Sequence, residues 1–183
     1  MVYPVFIYGS PVLRKKTLEI NKDYPGLKGF IEDLFETMYV SDGLGLAAPQ
    51  IGKSLRVFVL DGAPLAEDDP SLNDFKKVLI NPEIIEKDGE EIAFNEGCLS
   101  IPNIREDVLR PAKIRITYYD EDFKFHDEYY EGLKARIIQH EYDHLEGILF
   151  VDLIAPIRKK LLKGKLSAIS KGKFEAKYKV KLP

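Results

Sequence analysis

The sequence predicts an α+β fold built as one domain over residues 1–183. Mostly antiparallel sheets should pack around a buried helix that carries an H-E-x-x-H pattern, with a further helix near the C-terminus. Three observations lead there. Strand-like runs with a two-residue apolar alternation stand before and after helical runs, without a regular strand–helix–strand cadence. One helical run, leading up to His140, is apolar on more than one face, as a helix inside a protein must be. The chain is 45% hydrophobic and 31% charged, with no internal repeat or low-complexity segment, which fits a globular protein with one substantial core.

In chain order, residues 5–8 are a short apolar stretch that reads as a strand. Residues 25–40 read as the first helix, because Leu27, Phe30, Ile31, Leu34, Phe35 and Met38 recur at helical spacing. Pro25 suits its first turn, and Asp42-Gly43 ends it. Residues 43–52 are rich in Gly and Ala, so backbone can approach a ligand closely there, and Gln50 offers an amide. Gly52-Lys53-Ser54 is not a phosphate loop, since Ala47 stands where the first glycine of that pattern is required. Residues 56–60 read as a strand, and 61–77 as a polar, mobile loop with two prolines. A second strand over 78–85 contains Pro82, which assigns it to a sheet edge. Residues 91–94 lead into a turn around Cys98.

Farther on, Ile114, Ile116 and Tyr118 alternate with Arg115, Thr117 and Tyr119, the pattern of a half-buried strand. Asp120-Glu121-Asp122 turns it into another over 123–130. The buried helix should run over 132–146 and stop at Gly147. Residues 156–171 form a last amphipathic helix with Ile157, Leu161, Leu162, Leu166 and Ile169. After Gly172, Phe174, Ala176, Tyr178, Val180 and Leu182 alternate with Glu175, Lys177, Lys179 and Lys181, a strand pattern with a lysine face.

Composition narrows the setting. No apolar run approaches the ~18 residues of a membrane span, and the first residues lack the basic and apolar regions of a signal peptide. A single cysteine makes no internal disulfide, so a cytoplasmic location is expected. The net charge of −3 is unevenly spread. Ten Lys/Arg and one acid, Glu175, fall from Arg158 onward, which leaves 17 basic and 29 acidic residues before it, a net of −12. An acidic body with a basic tail over 158–183 points to a separate partner for the tail.

The chemistry concentrates at 140–147. His140 and His144 sit at i and i+4 and share one helix face, so both imidazoles can grip one metal ion, with Glu141 beside it to move protons. Two His, a Glu and an Asp in a buried helix are costly unless each has a partner. The longer zinc-protease pattern requires a third His at position 150, where this chain has Phe150. Of the remaining candidates, His126 lies in a charged run. Cys98 lies in Glu96-Gly97-Cys98-Leu99-Ser100 and would complete a set of three ligands with an open fourth position, the catalytic arrangement. An H-E-x-x-H peptidase remains an alternative on the pattern alone. A purely structural site would need a fourth ligand, and no second cysteine supplies one.

Three segments together, 43–50, 96–100 and 140–147, match G-x-G-L-A-A-x-Q, E-G-C-L-S and H-E-x-D-H-L-x-G in that order. In this the chain resembles the bacterial-type peptide deformylase family over nearly its whole length. The resemblance implies removal of the N-formyl group from formyl-methionine on nascent polypeptides, with release of formate. It implies that Cys98, His140 and His144 bind one divalent metal ion, natively Fe(II), with Zn, Ni or Co able to substitute. Glu141 would be general base and acid, and the Gln50 amide and Leu99 backbone N–H would stabilise the oxyanion. Backbone of Gly45 and Gly97 would pair with the substrate as an added strand. Leu44, Phe94, Leu133, Arg136 and Ile137 would line the methionine pocket. Arg136 stands where an apolar residue is usual, its stem packing and its guanidinium reaching solvent. Glu96 would lie beside the substrate, paired with Arg110 behind the Cys98 turn. Some bacterial members bind the ribosome through a C-terminal helix, which offers a partner for the basic tail.

Overall fold

The computed structural model describes all 183 residues. Its main sheet is antiparallel, in the order β2 (Gly45–Ala47), β3 (Val57–Asp61), β4 (Lys76–Cys98), β5 (Ile101–Tyr119) and β6 (Phe125–Glu131). A small parallel pair joins β1 (Val5–Phe6) to β7 (Val180–Lys181). Helices α1 (Leu27–Val40), α2 (Gly132–Leu145) and α3 (Pro156–Ser170) complete the α+β architecture.

Strand β3 explains how the layers meet. Its run Val57-Phe58-Val59-Leu60 is apolar without alternation because both faces are covered. Phe58 and Leu60 pack with Leu79, Ile114, Ile116 and Tyr118 against Ala135, Ile138 and Leu145 of α2. Val57 and Val59 pack with Leu46 and Ile80 against Leu34 and Met38 of α1. A third cluster sets Ile101, Ile104 and Val108 of β5 against Leu149, Phe150 and, from α3, Leu162 and Leu166. Helix α2 is therefore buried along most of its length, including Arg136, Gln139, Glu141, Asp143 and His144.

Several sequence expectations need correction. Strand β4 is one 23-residue central strand rather than two segments with an edge at Pro82. Its pairing with β5 shifts register between Ile80 and Glu83, so Pro82 falls in a bulge, where no ladder N–H is required. Helix α1 starts at Leu27, because Gly26 adopts a left-handed φ of 72° at the cap and Pro25 lies before it. The 61–77 segment folds into short 3₁₀ turns at Ala63–Leu65 and Pro70–Leu72 and is anchored by buried Leu72 and Phe75. Of residues 174–182, only Val180 and Lys181 pair as a strand.

The exit of α2 is fastened to the N-terminal region. Thr17 donates to the Leu145 carbonyl from its backbone N–H (2.9 Å) and from its hydroxyl (3.1 Å), satisfying a terminal carbonyl. Gly147 turns the chain at φ 74°, and an added Cβ there would lie 2.7 Å from the Arg14 carbonyl group, so only glycine fits. Arg14 in turn donates to Asp152 at 2.5 and 3.2 Å, and Asp152 accepts from the Leu149 N–H at 2.9 Å.

Burial pushes the Asp152 carboxyl up, but Arg14 and the Leu149 N–H outweigh burial and hold it below its ordinary value. A depressed value means the interaction contributes fully above about pH 4 and fades as pH falls through the folded-state value. Asp152→Asn should cost roughly 0.5–1 kcal/mol at neutral pH, and the deficit should shrink below about pH 4. Urea unfolding of parent and variant on either side of that pH checks both statements.

Candidate metal centre and cleft

Strand β4 ends at Cys98 and β5 begins at Ile101, and these two residues pair, so Leu99 and Ser100 form the tight connection between the strands. The register jumps between Gly97 and Cys98, a bulge of the kind that redirects side chains beside functional sites. Here it brings Cys98 Sγ to 3.3 Å from His144 Nε2. The ligand atoms of Cys98, His140 and His144 all lie within 4.8 Å of one another. One sulfur and two imidazole nitrogens at that spacing suit a single cation with metal–ligand distances of about 2.0–2.3 Å. Burial, followed by the neighbouring His140, holds His144 well below its ordinary pKa, in the neutral form that ligates.

His140 is aimed by its other ring nitrogen. Nδ1 lies 2.8 Å from Glu96 Oε2, which leaves Nε2 for the metal. Glu96 is 4% exposed and takes three more hydrogen bonds, from Arg110 Nε (2.6 Å) and Nη2 (3.0 Å) and from Arg136 Nη1 (2.9 Å). Burial alone would raise the Glu96 pKa, yet His140 and Arg110 outweigh it and hold the carboxyl far below the usual carboxylate range. Arg110 Nη1 also reaches Asp143 at 2.6 Å, giving the buried Asp of α2 its partner. The Glu96–Arg110 pair thus forms as expected, and the carboxylate, which also lines the cleft described below, is bonded to His140.

Glu141 is 5% exposed, and its Oε2 is buried without a hydrogen-bond partner. Burial pushes this carboxyl up to about 7, a value suited to taking and giving protons near neutrality. Gly45 makes room for it, since an added Cβ there would lie 2.5 Å from Glu141 Oε1. Gln50 accepts from the Ala47 N–H through Oε1 (2.9 Å), which turns its Nε2 toward Cys98 Sγ (3.5 Å) and Ser100 Oγ (3.3 Å). The Leu99 N–H donates to no backbone carbonyl in its turn.

A cleft of about 1170 Å³ opens beside these groups. Its lining includes Leu44, Gly45, Phe94, Gly97, Arg136 and Ile137, all expected from the sequence. Two expectations fail. Leu133 is not in the lining, and packs instead against the core between the sheet and α2. Arg136 does not reach solvent: it is 8% exposed, and besides Glu96 it donates to the carbonyls of Val108 (2.9 Å) and Ile92. Its guanidinium lies over the Phe94 ring, 5.7 Å from the centroid. His126 is remote from the centre, stacked on Tyr118 and bonded to Asp120. Phe150 packs against the His140 ring, centroids 6.1 Å apart, and supplies no ligand. The sequence reading missed Asp143 as a partner of Arg110 and the C-terminal residues that share the cleft, although the apolar alternation after Gly172 marked a face that had to be covered.

The chain is similar to known proteins in sequence and in fold. The polypeptide deformylase family model matches residues 2–160. The peptide deformylase of Christiangramia forsetii is 52% identical over 190 residues, covering 100% of this chain and 97% of that protein. That of Cytophaga hutchinsonii is 50% identical over 183 residues, covering 100% and 98%. Among solved structures, a peptide deformylase from Legionella pneumophila superposes with a TM-score of 0.80 at 36% identity, covering 93% of this chain and 96% of that one. One from Thermotoga maritima gives a TM-score of 0.77 at 41% identity, with coverage of 85% and 99%.

The centre makes one demand that can be measured without any substrate. Glu96→Gln removes the charge facing His140, Arg110 and Arg136 at once. Metal affinity should fall about 10- to 100-fold, and stability by roughly 3–5 kcal/mol as buried Arg136 loses its one counter-charge and Arg110 is left with Asp143 alone. Chelator competition reads the first effect and denaturant unfolding the second; parent values in both would show that Glu96 does not align His140.

Proposed function

The chain belongs to the polypeptide deformylase family and its activity is metal-dependent deformylation; we propose that its substrate is the formyl-methionine start of nascent polypeptides, from which the formyl group leaves as formate. The observation that carries this reading is the unpartnered Glu141 carboxylate beside the Cys98, His140 and His144 cluster, at the side of a cleft wide enough for a peptide.

Cys98, His140 and His144 would hold the metal ion, and a thiolate with two imidazoles suits iron and zinc alike. We take Fe(II) as the native ion, with Zn, Ni or Co as substitutes. A divalent ion in that place supplies Lewis acidity, which makes water a nucleophile near neutral pH and polarises a carbonyl. Glu141 takes a proton from the attacking water and passes it to the amine as the formyl C–N bond breaks. Gln50 Nε2 and the Leu99 N–H receive the negative charge that develops on the formyl oxygen. Backbone of Gly45 and Gly97 pairs with the peptide, and Leu44, Phe94 and Ile137 surround the methionine side chain. Arg136 supports that pocket from behind through Glu96 and Phe94.

A cytoplasmic setting belongs to the same reading, since Cys98 must stay reduced to ligate. No helix is long and apolar enough to cross a membrane. The basic tail is our candidate for a ribosome-docking surface. Its lysines on α3 and beyond are exposed, whereas Arg158 is engaged with Glu106 at 2.6 Å. The remainder of the chain is net negative and would be repelled by RNA, so the tail is the segment able to steer the enzyme there.

Formate release from formyl-Met-Ala, compared with an unformylated peptide, tests the activity on anaerobically purified, metal-analysed protein. Glu141→Ala should keep its metal and lose turnover by roughly 10²–10⁴-fold; near-parent turnover at full metal content would remove Glu141 from the mechanism. Neutralising Lys160, Lys163, Lys171 and Lys173 to Gln should weaken ribosome co-sedimentation and flatten its salt dependence, with unchanged turnover of the short peptide. Equal co-sedimentation of parent and variant at low salt would place docking elsewhere.

A further inference from the structure

The apolar side of the C-terminal segment is not spent on packing alone. Phe174, Ala176, Tyr178, Val180 and Leu182 all line the cleft. The segment is held there by the β1–β7 pairing and by Asn103, whose side-chain amide donates to the Glu175 carbonyl at 2.9 Å. Tyr178 is the residue of this wall whose polar atom reaches the turn between β4 and β5. Its hydroxyl donates to the Leu99 carbonyl at 2.7 Å. The phenol is half-buried, and burial pushes it up to about 12, so it remains a donor at any pH near neutrality.

Leu99 is the residue whose N–H, on the reading above, meets the oxyanion. Its neighbours in the turn are tied from two other directions. The Tyr8 N–H donates to the Ser100 carbonyl at 2.8 Å, and Gln50 Nε2 donates to Ser100 Oγ at 3.3 Å. Cys98 on the other side is fixed by His144 and the ligand cluster. The Leu99 carbonyl is the remaining point at which the turn could rock, and the Tyr178 hydroxyl is what holds it. Hydrogen-bond strength falls steeply with misalignment, and a donor aimed in advance at the developing charge is worth far more than one that must reorient.

We propose that Tyr178 is a positioning residue for deformylation: by holding the Leu99 carbonyl it pins the Leu99–Ser100 peptide plane and so, through the Leu99 backbone torsions, restricts how far the adjoining Cys98–Leu99 plane and its N–H can swing from the oxyanion. The inference rests on the deformylase reading of the cleft. It also makes the C-terminal wall a part of the catalytic apparatus, in addition to any docking role of its lysines.

Tyr178→Phe in the full chain, brought to the same measured metal content as the parent, is the test. Deleting an oxyanion donor outright costs roughly 10²–10³ in kcat. Loosening one should cost less, so kcat for a short formyl-Met peptide is expected to fall roughly fivefold to twentyfold, with KM within about twofold. Amide hydrogen exchange at Leu99 and Ser100 should quicken, while metal content and unfolding temperature stay close to the parent's. An unchanged kcat, a change confined to KM, or a loss of rate explained by lost metal would each overturn the proposal. A parent enzyme that releases no formate would sink the underlying reading instead, and is distinguishable because the proposal concerns only the difference between two active proteins.

Discussion

A single buried carboxylate, that of Glu96, is the interaction on which the rest of the centre depends. An ionised group with 4% exposure is tolerable only if its charge and lone pairs are met. Arg110, Arg136 and His140 meet them from β5 and α2, while Glu96 itself rides on β4 two residues before Cys98. The strand that carries Cys98 and the helix that carries His140 and His144 are thereby locked in relative position. Asp143, bonded to the same Arg110, extends the lock along α2. Networks of this kind are costly when half satisfied and rigid when complete, which suits a site that must hold three ligand atoms within 4.8 Å.

The clustering of the candidate ligands was legible in the sequence because most of its pattern is local. His140, Glu141 and His144 are placed by helix periodicity alone, and Cys98 is singled out by the need for a third ligand and by the turn around it. The α+β class and the ends of α2 and α3 followed from apolar spacing to within a residue or two. What escaped depends on contacts distant in sequence. Whether Arg136 faces solvent or the interior is decided by Glu96, which stands 40 residues away. Leu133 and Arg136 lie on neighbouring turns of one helix, yet the first packs against the core and the second lines the cleft. Pro82 read as an edge signal because a bulge, which solves the same missing-donor problem in a central strand, leaves no local mark.

The tail illustrates a different limit. Its alternation of apolar residues and lysines predicted a strand with two unlike faces, whereas Glu175 and Lys177 line the cleft together with Phe174, Ala176 and Tyr178. Pairing partners are not encoded in alternation, however, and most of this segment runs along the cleft with only Val180 and Lys181 in a ladder. Its lysines are exposed and its apolar residues line the cleft, where Glu175 and Lys177 join them, so charge and apolar surface meet at one rim.

The parallel pairing of β1 with β7 also has a kinetic meaning. Contacts between residues far apart along a chain form late, because the entropy of closing the intervening loop must be overcome before they yield anything. Cys98 and His144 are separated by 46 residues and are brought together by a hairpin and the helix that follows it. Val5 and Val180 are separated by almost the entire domain. Loop-closure entropy favours bringing Cys98 and His144 together over closing the ring of chain that carries Tyr8 and Tyr178 onto the Leu99–Ser100 turn. An ion held by Cys98, His140 and His144 would stabilise the shorter closure and so narrow the search left to the longer one.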